Sequence, residues 1–368
     1  MLIVSGVLVF IFFATLLINI IFGPHMRRIS LTDYSPAVSV LIPARNEEHN
    51  IATCLESFLG QEYPDFEIIV LDDESEDGTA RVVTEIERTD QRIKLIKGKP
   101  LPEDWLGKNW ACMQLQQHAR GEILLFADAD TQPTLTAIRH TVDWIKTYNL
   151  GLFSVFPQQI TKGFAEKLLV PLIDFVLYSL LPLWAVYIFP SRFFAAANGQ
   201  WLAFTRNAYD QIGKHVVVKN QIVEDVAFSR EAKVKNIKTL TASGKDVIFC
   251  RMYSSFQEIW NGLSKNFYGL MGNNIFVLIM INCMMLLAYV VPFIFLGLGI
   301  QISYAGGLIG IIVFMRLLMS IFYGHHVWIS IFFHQVMILF GIFIALNSFY
   351  ATNRKSVSWK GRRINTPR

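Results

Sequence analysis

The chain has 368 residues, of which 53% are hydrophobic and 17% charged, and its mean hydropathy is +0.39. A soluble domain of that size is rarely so apolar, and the excess lies at the two ends, so one sizeable domain flanked by membrane spans is expected. The net charge of only +4 gives no basis for a bulk polyanion partner such as nucleic acid.

Residues 2–23 are apolar and uncharged, about 33 Å of helix at a rise of 1.5 Å per residue. No basic segment precedes the run and no small-residue cleavage site follows it. Residues 1–24 therefore read as a transmembrane anchor and not as a cleaved leader. Arg27 and Arg28 come next, so the positive-inside rule places the following domain in the cytosol with the N-terminus outside.

From residue 38 to about 160 the pattern changes. Short apolar runs, VSVLIP (38–43), FEIIVLD (66–72), RIKLIK (92–97), EILLFAD (122–128) and LFSVFP (152–157), alternate with helical stretches near 47–59, 78–88, 108–119 and 134–148. Such alternation predicts βαβ units, an α/β fold and a mainly parallel sheet. Ligands of such sheets bind beyond the carboxyl ends of the strands.

Residues 164–190 are apolar but carry Glu166, Lys167, Asp174, Pro171, Pro182 and Pro190. They read as a helix in the membrane interface, inside a cytosolic domain of residues 37–270, and not as a span. The region 275–350 holds two long apolar runs, Phe276–Ile300 and Val327–Phe349. Between them, Tyr304–Phe322 contains Arg316, which is costly in lipid, so this segment is expected to be re-entrant or interfacial. An even number of crossings keeps the basic tail, residues 351–368 with Arg354, Lys355, Lys360, Arg362 and Arg363, in the cytosol. The four cysteines form no Cys-x-x-Cys pair and have no histidine at ligand spacing. They read as free thiols in a reducing compartment, with no zinc site.

Six clusters carry candidate chemistry. Asp128-Ala129-Asp130 follows the strand EILLFA. Two carboxylates at a strand exit suit Mg2+ or Mn2+ carrying phosphate oxygens, and they suit equally a solvated acidic turn. Asp72-Asp73 occupies the same place on its own strand, where a carboxylate accepts hydrogen bonds from a base or ribose. Helix capping there falls to Asp77 and Thr79. Pro43 to Glu47, at the first strand exit, lies where a nucleotide base would sit, and reads as well as a plain loop before a helix. Lys108 opens a helix, where its charge and the dipole together would meet a diphosphate unless it is simply exposed. Glu224-Asp225 offers a carboxylate base for an acceptor hydroxyl, or merely acidic residues at a helix start. Arg251, Tyr253, Trp260, Lys265 and Tyr268 would either stabilise a leaving diphosphate or form an interfacial belt. No phosphate loop, nucleophile elbow or dinucleotide fingerprint is present in the sequence.

In order, SVLIPARNEEHNI, EIIVLDDESEDGTA, GKNWACMQ, ILLFADAD, NGQWLAFTR and VEDVAFS resemble glycosyltransferase family 2 over roughly residues 37–270. The tail SWKGRRI and the segment CRMYSS add likeness to membrane members that glycosylate isoprenoid lipids, carotenoid-acid and hopanoid-associated enzymes among them. The resemblance implies a GT-A nucleotide-sugar-binding fold and a single inverting transfer, with a nucleotide-sugar donor, a UDP-hexose, and a lipid acceptor at the plasma (inner) membrane. It implies that Pro43, Glu47 and Asp73, or Asp72, line the nucleotide pocket, with Lys108 near the uracil or diphosphate. Asp128 would contact the ribose and Asp130 the metal, Mg2+ or Mn2+. Asp225 would be the base, and Asn198, Gly199 and Gln200 would border the acceptor. Processive members carry Gln-x-x-Arg-Trp, whereas here Gln257-Glu258-Ile259-Trp260 lacks the arginine. That departure favours one transfer over a polysaccharide synthase. A non-catalytic nucleotide-sugar-binding membrane protein is the other alternative.

Overall fold

The computed structural model describes residues 1–354, 358–359 and 362–363. The tail expectation at Lys355 and Lys360 lies outside them. Five strands appear where the apolar runs predict them: β1 (Val38–Ala44), β2 (Phe66–Asp72), β3 (Ile93–Lys97), β4 (Ile123–Ala127) and, after a short β5 (Thr131–Pro133), β6 (Leu152–Phe156). The helices between them are α1, the N-terminal Leu2–Phe22, then α2 (Ile51–Leu59), α3 (Thr79–Glu87), α4 (Gly107–His118) and α5 (Ala137–Tyr148).

Apolar cores cover both faces of the sheet. Val38, Val40 and Ile42 of β1 pack with Cys54 and Phe58 of α2, while Leu41 packs on the other face with Ala111 and Leu115 of α4. A strand buried on both faces has no polar side to show, so its sequence reads as a continuous apolar run.

The later part of the domain departs from the simple series. A short β7 (Gln158–Gln159) leads to three short helices, α6 (Phe164–Leu169), α7 (Pro171–Leu180) and α8 (Leu183–Ile188). Then come β8 (Trp201–Thr205), α9 (Arg206–Ile212), α10 (Glu224–Val234), β9 (Thr239–Ser243) and β10 (Ile248–Cys250). The main sheet runs β3-β2-β1-β4-β8-β6-β9. Strands β1 to β4 are parallel neighbours, and β8 enters antiparallel between β4 and β6. A second small sheet, β5-β10-β7, places Cys250 opposite both Thr131 and Gln159.

Residues 164–190 form three helices because Pro171 and Pro182 start new ones. The longest, α7, has 10 residues, far short of the ~20 that a crossing needs. The two acidic side chains in this stretch are paired: Glu166 with Arg251 at 3.0 Å, and Asp174 with His325 at 2.8 Å. The turn between α7 and α8 is tied to α1 by one side chain. Asn19 Nδ2 donates to the carbonyls of Tyr178 and Leu181, each at 2.8 Å, and its Oδ1 accepts from Leu183 N at 3.0 Å. Asn19→Leu strips partners from three buried backbone groups. The expected cost is about 3 kcal/mol, read as a lowered thermal midpoint of the detergent-solubilised protein.

The C-terminal part comprises α11 (Phe256–Leu270), α12 (Ile275–Tyr289), α13 (Val291–Gly297), α14 (Ile302–Tyr323), α15 (Val327–Phe332) and α16 (His334–Asn353). Among the described residues, four helical segments are long and apolar enough to cross a membrane: Leu2–Phe22, Ile275–Gly297, Ile302–Tyr323 and His334–Asn353. The apolar run 276–300 bends where Pro292 opens α13, and the run 327–349 breaks at Phe333.

The expectation of a re-entrant segment at Tyr304–Phe322 is corrected: these residues lie in one continuous 22-residue helix. The reason is where Arg316 points. It is 1% exposed and faces the interior of the helical bundle. Its Nε donates to His334 Nδ1 at 2.8 Å, and its guanidinium lies 3.6 Å from the Phe175 ring centroid. An arginine turned inward onto a ring and an imidazole keeps its charge away from lipid.

Candidate active site

The exits of β1 and β4, the segment leading into β8, the start of α4 and the start of α10 converge on one cavity of about 1740 Å3. Its walls include Pro43, Glu47, Lys108, Asp128, Asp130, Asn198, Gly199, Gln200, Glu224, Asp225 and Arg251. Eleven positions that local sequence reading scattered over about 200 residues thus face one space.

At its centre is an ion-pair bridge. Lys108 Nζ lies 2.8 Å from Asp128 Oδ1 and 2.9 Å from Glu224 Oε1. Burial opposes the lysine charge, but the two carboxylates hold its pKa well above the ordinary value. Beside the bridge, Asp225 Oδ2 accepts from Gly199 N at 2.8 Å and Oδ1 from Val226 N at 2.7 Å. Burial and then the Glu224 charge push the Asp225 carboxyl up to about 7, against Lys108 and the two backbone donors. A carboxyl poised there exchanges protons near neutral pH. The backbone of 198–200 is itself pinned: Asn198 N donates to Ser154 Oγ at 2.7 Å, and Asn198 Oδ1 accepts from Gln200 N at 2.8 Å.

Asp130 is the second carboxyl at the β4 exit. Burial, then Asp128 and Glu47, push it up to about 7. Its Oδ1 is buried without a hydrogen-bond partner. An orphaned oxygen on a crowded anionic carboxyl is a place a divalent cation would satisfy. Among the described residues no group of three or more His, Cys, Asp or Glu could hold an ion alone. That composition fits Mg2+ or Mn2+, which take one or two carboxylates and fill the rest of the shell with phosphate oxygens and water.

Other expected residues sit differently. Asp72 and Asp73 lie behind the cavity wall. Asp72 Oδ1 accepts from Ser75 N at 3.2 Å, and the Asp73 carbonyl accepts from Arg45 Nη1 at 2.6 Å. Arg45 also donates to the Glu74 carbonyl at 2.9 Å and so ties the β1 and β2 exits together. Asn46 (φ 52°) and Glu74 (φ 56°) in these two loops adopt left-handed backbone, strain of the kind that clusters at ligand sites. Asp77 Oδ1 accepts from Thr79 N at 3.0 Å, the capping role expected of that pair. Arg251 is held by Glu166, whose oxygens take Nε at 3.1 Å and Nη2 at 3.0 Å.

One residue at the site, Cys250, had no assigned role in the sequence, and a second, Lys265, was expected to meet a leaving diphosphate or to join an interfacial belt. Cys250, buried, reads as an ordinary core thiol. Its Sγ accepts from Gln200 Nε2 at 2.7 Å, and its thiol hydrogen-bonds Asp130. Only the β5-β10-β7 pairing reveals this, and no local pattern carries it. Lys265 of α11 lines the same cavity, and burial lowers its pKa to about 8.

The fold is of the GT-A type, in which a mainly parallel sheet presents carboxylates at its strand exits to one cavity. Residues 39–182 match the model described as Glycosyl transferase family 2. The chain is similar to the 4,4'-diaponeurosporenoate glycosyltransferase of Staphylococcus aureus strain USA300, 29% identical over 240 residues. That alignment covers 62% of this chain and 60% of the relative's length. Among solved structures it is similar to a mannosyltransferase from Pyrobaculum calidifontis in complex with GDP-Man and Mn2+. The TM-score is 0.55 at 16% identity, over 94% of this chain and 98% of that one, a likeness of fold.

Proposed function

We propose that the protein is an inverting glycosyltransferase that moves one hexose from a nucleotide-sugar, a UDP-hexose, to the hydroxyl or carboxyl of a membrane lipid acceptor of the isoprenoid class. The observation that carries this reading is the single cavity in which Lys108 bridges Asp128 and Glu224 while Asp225 sits alongside on the Gly199 amide. The relative's name, a glycosyltransferase acting on diaponeurosporenoate, supports the acceptor class. The nucleotide-sugar and Mn2+ in the Pyrobaculum mannosyltransferase support the donor class and the cation. The four apolar segments support a multi-pass protein of the plasma membrane, with the catalytic domain cytosolic.

In this mechanism the acceptor oxygen forms a bond to the anomeric carbon from the face opposite the leaving group. The carbon–oxygen bond to the nucleoside diphosphate breaks, and the diphosphate takes the electron pair. Asp225 accepts the hydroxyl proton on a carboxylate oxygen. Lys108, at the N-terminus of α4, gives charge to the leaving diphosphate. Asp130, with Asp128, would hold Mg2+ or Mn2+, which supplies Lewis-acid stabilisation of phosphate charge. Pro43 and Glu47 border the base, and Asn198, Gly199 and Gln200 border the acceptor.

The test uses membranes containing the protein, a radiolabelled UDP-hexose and a lipid extract. Chloroform-soluble label that disappears with Asp130→Ala is expected. Label only in gel-sized product, or none at all, would sink the reading. Gly199→Ala is expected to lower turnover only modestly. A Cβ there lies 2.9 Å from Lys108 Nζ and 3.0 Å from Glu224 Oε1, so the ends of two flexible side chains must yield by a few tenths of an ångström. The loss, measured as kcat in the same assay, should stay well short of the ~10²-fold that a 1 Å misplacement costs.

A further inference from the structure

The cavity is larger than one nucleotide-sugar needs. At about 1740 Å3 it exceeds the ~1,000 Å3 upper range of pockets for drug-sized ligands. Its two ends differ in chemistry. The carboxylates and Lys108 line one end. At the other, Ile173, Val176 and Leu177 of α7 face Phe267 and Leu270 of α11, with Met271 just beyond. The backs of these two helices rest on the apolar bundle. Leu172 Cδ2 would stand 2.7 Å from a Cβ at Gly341 of α16. Ser264 of α11 accepts from Asn347 at 2.9 Å, and Trp260 packs against Phe340 and Phe343.

A second, smaller cavity lies directly behind this apolar end and shares Val176, Phe267 and Met271 with it. Leu278 and Met285 of α12 and Gly341 and Ala345 of α16 complete its wall. The polar residue there, Asn282, turns its amide donor back onto the Leu278 carbonyl at 2.9 Å. Its volume is about 30 Å3, one water's share of liquid volume. Its walls include two methionines, Met271 and Met285, unbranched side chains that swing without strain.

We propose that the groove between α7 and α11 binds the apolar chain of the acceptor, and that Met271 governs its passage into the smaller cavity among α7, α11, α12 and α16. The proposal rests on the acceptor being a lipid, and it adds where the chain lies and which residues limit its length. The shared wall carries it: the cavity that holds the carboxylates and the smaller one, walled partly by helices long enough to cross a membrane, have Val176, Phe267 and Met271 in common, and an amphiphile matches the chemistry of both.

The experiment uses the full-length protein in liposomes and a 16-carbon fatty acid with a diazirine at its methyl end. Labelled residues are mapped by mass spectrometry. Label at Met271, Leu278 or Ala345 is expected. Met271→Trp is expected to lower it tenfold or more with UDP affinity unchanged, and Met271→Ala to shift label deeper, to Met285 and Ile338. Label confined to outward residues such as Ile279 and Phe343, 50% and 61% exposed, and indifferent to both substitutions would overturn the groove. The two readings fail separately. Sugar transfer with outward label overturns the groove alone. Inner label in a preparation with no transfer to any lipid overturns the glycosyltransferase reading alone.

Discussion

Asp225→Asn is expected to lower sugar transfer to a hydroxyl acceptor by about 10²- to 10⁴-fold, the usual contribution of a positioned general base, while UDP binding is kept. The asparagine side chain retains an oxygen to accept from Gly199 N, as Asp225 does at 2.8 Å, so the local backbone survives. What disappears is the proton acceptor. The wild-type pH profile should carry the signature of the same group. Burial and Glu224 raise the carboxyl to about 7, so the active, deprotonated form is lost as pH falls through that value. The rate therefore rises with pH through about 7 and levels above it. A carboxylic-acid acceptor offers an internal control. It is already ionised at neutral pH and has no proton to give, so the same substitution should cost it far less. Equal losses with both acceptors would show that Asp225 acts by charge or shape and not as a base.

Lys108→Met should have the next largest effect. The side chain is 24% exposed, and its ammonium bridges Asp128 and Glu224 at 2.8 and 2.9 Å. Its removal leaves those two carboxylates beside Asp225 and Asp130 without their central cation. A hydrogen bond to a charged group contributes about 1.5–3 kcal/mol, so UDP affinity should fall by roughly 10- to 100-fold, measured by calorimetry. The pH profile should move as well. Lys108 favours the ionised form of Asp225, so its loss raises that pKa further above 7, and the acid limb shifts to higher pH. A variant with weakened UDP binding but an unmoved limb would separate the lysine from the base.

The parallel half of the domain was legible because its strands are apolar on both faces and end in polar turns. The exits of β1 and β4 therefore marked Pro43, Glu47, Asp128 and Asp130 before any contact was known. Asp72 and Asp73 share that marker yet stand behind the wall, because Arg45 spans from the β1 exit to the Asp73 and Glu74 carbonyls. Position at a strand exit fixes a direction, and a neighbouring loop decides what reaches the cavity. Arg316 teaches the same point for the bundle: its cost in lipid was read from composition, but its inward face was decided by Phe175 and His334.

By itself the sequence determined the apolar ends, the βαβ series and the carboxylates at strand exits, because each follows from local periodicity and the chemistry of neighbouring residues. Tertiary structure alone decided the insertion of β8 between β4 and β6, the meeting of Lys108 with Glu224, the contact of Cys250 with Asp130, and the shared wall of the two cavities. Each of these joins residues far apart in the chain. Their proximity arises from strand pairing and helix packing, which no local pattern of side chains encodes.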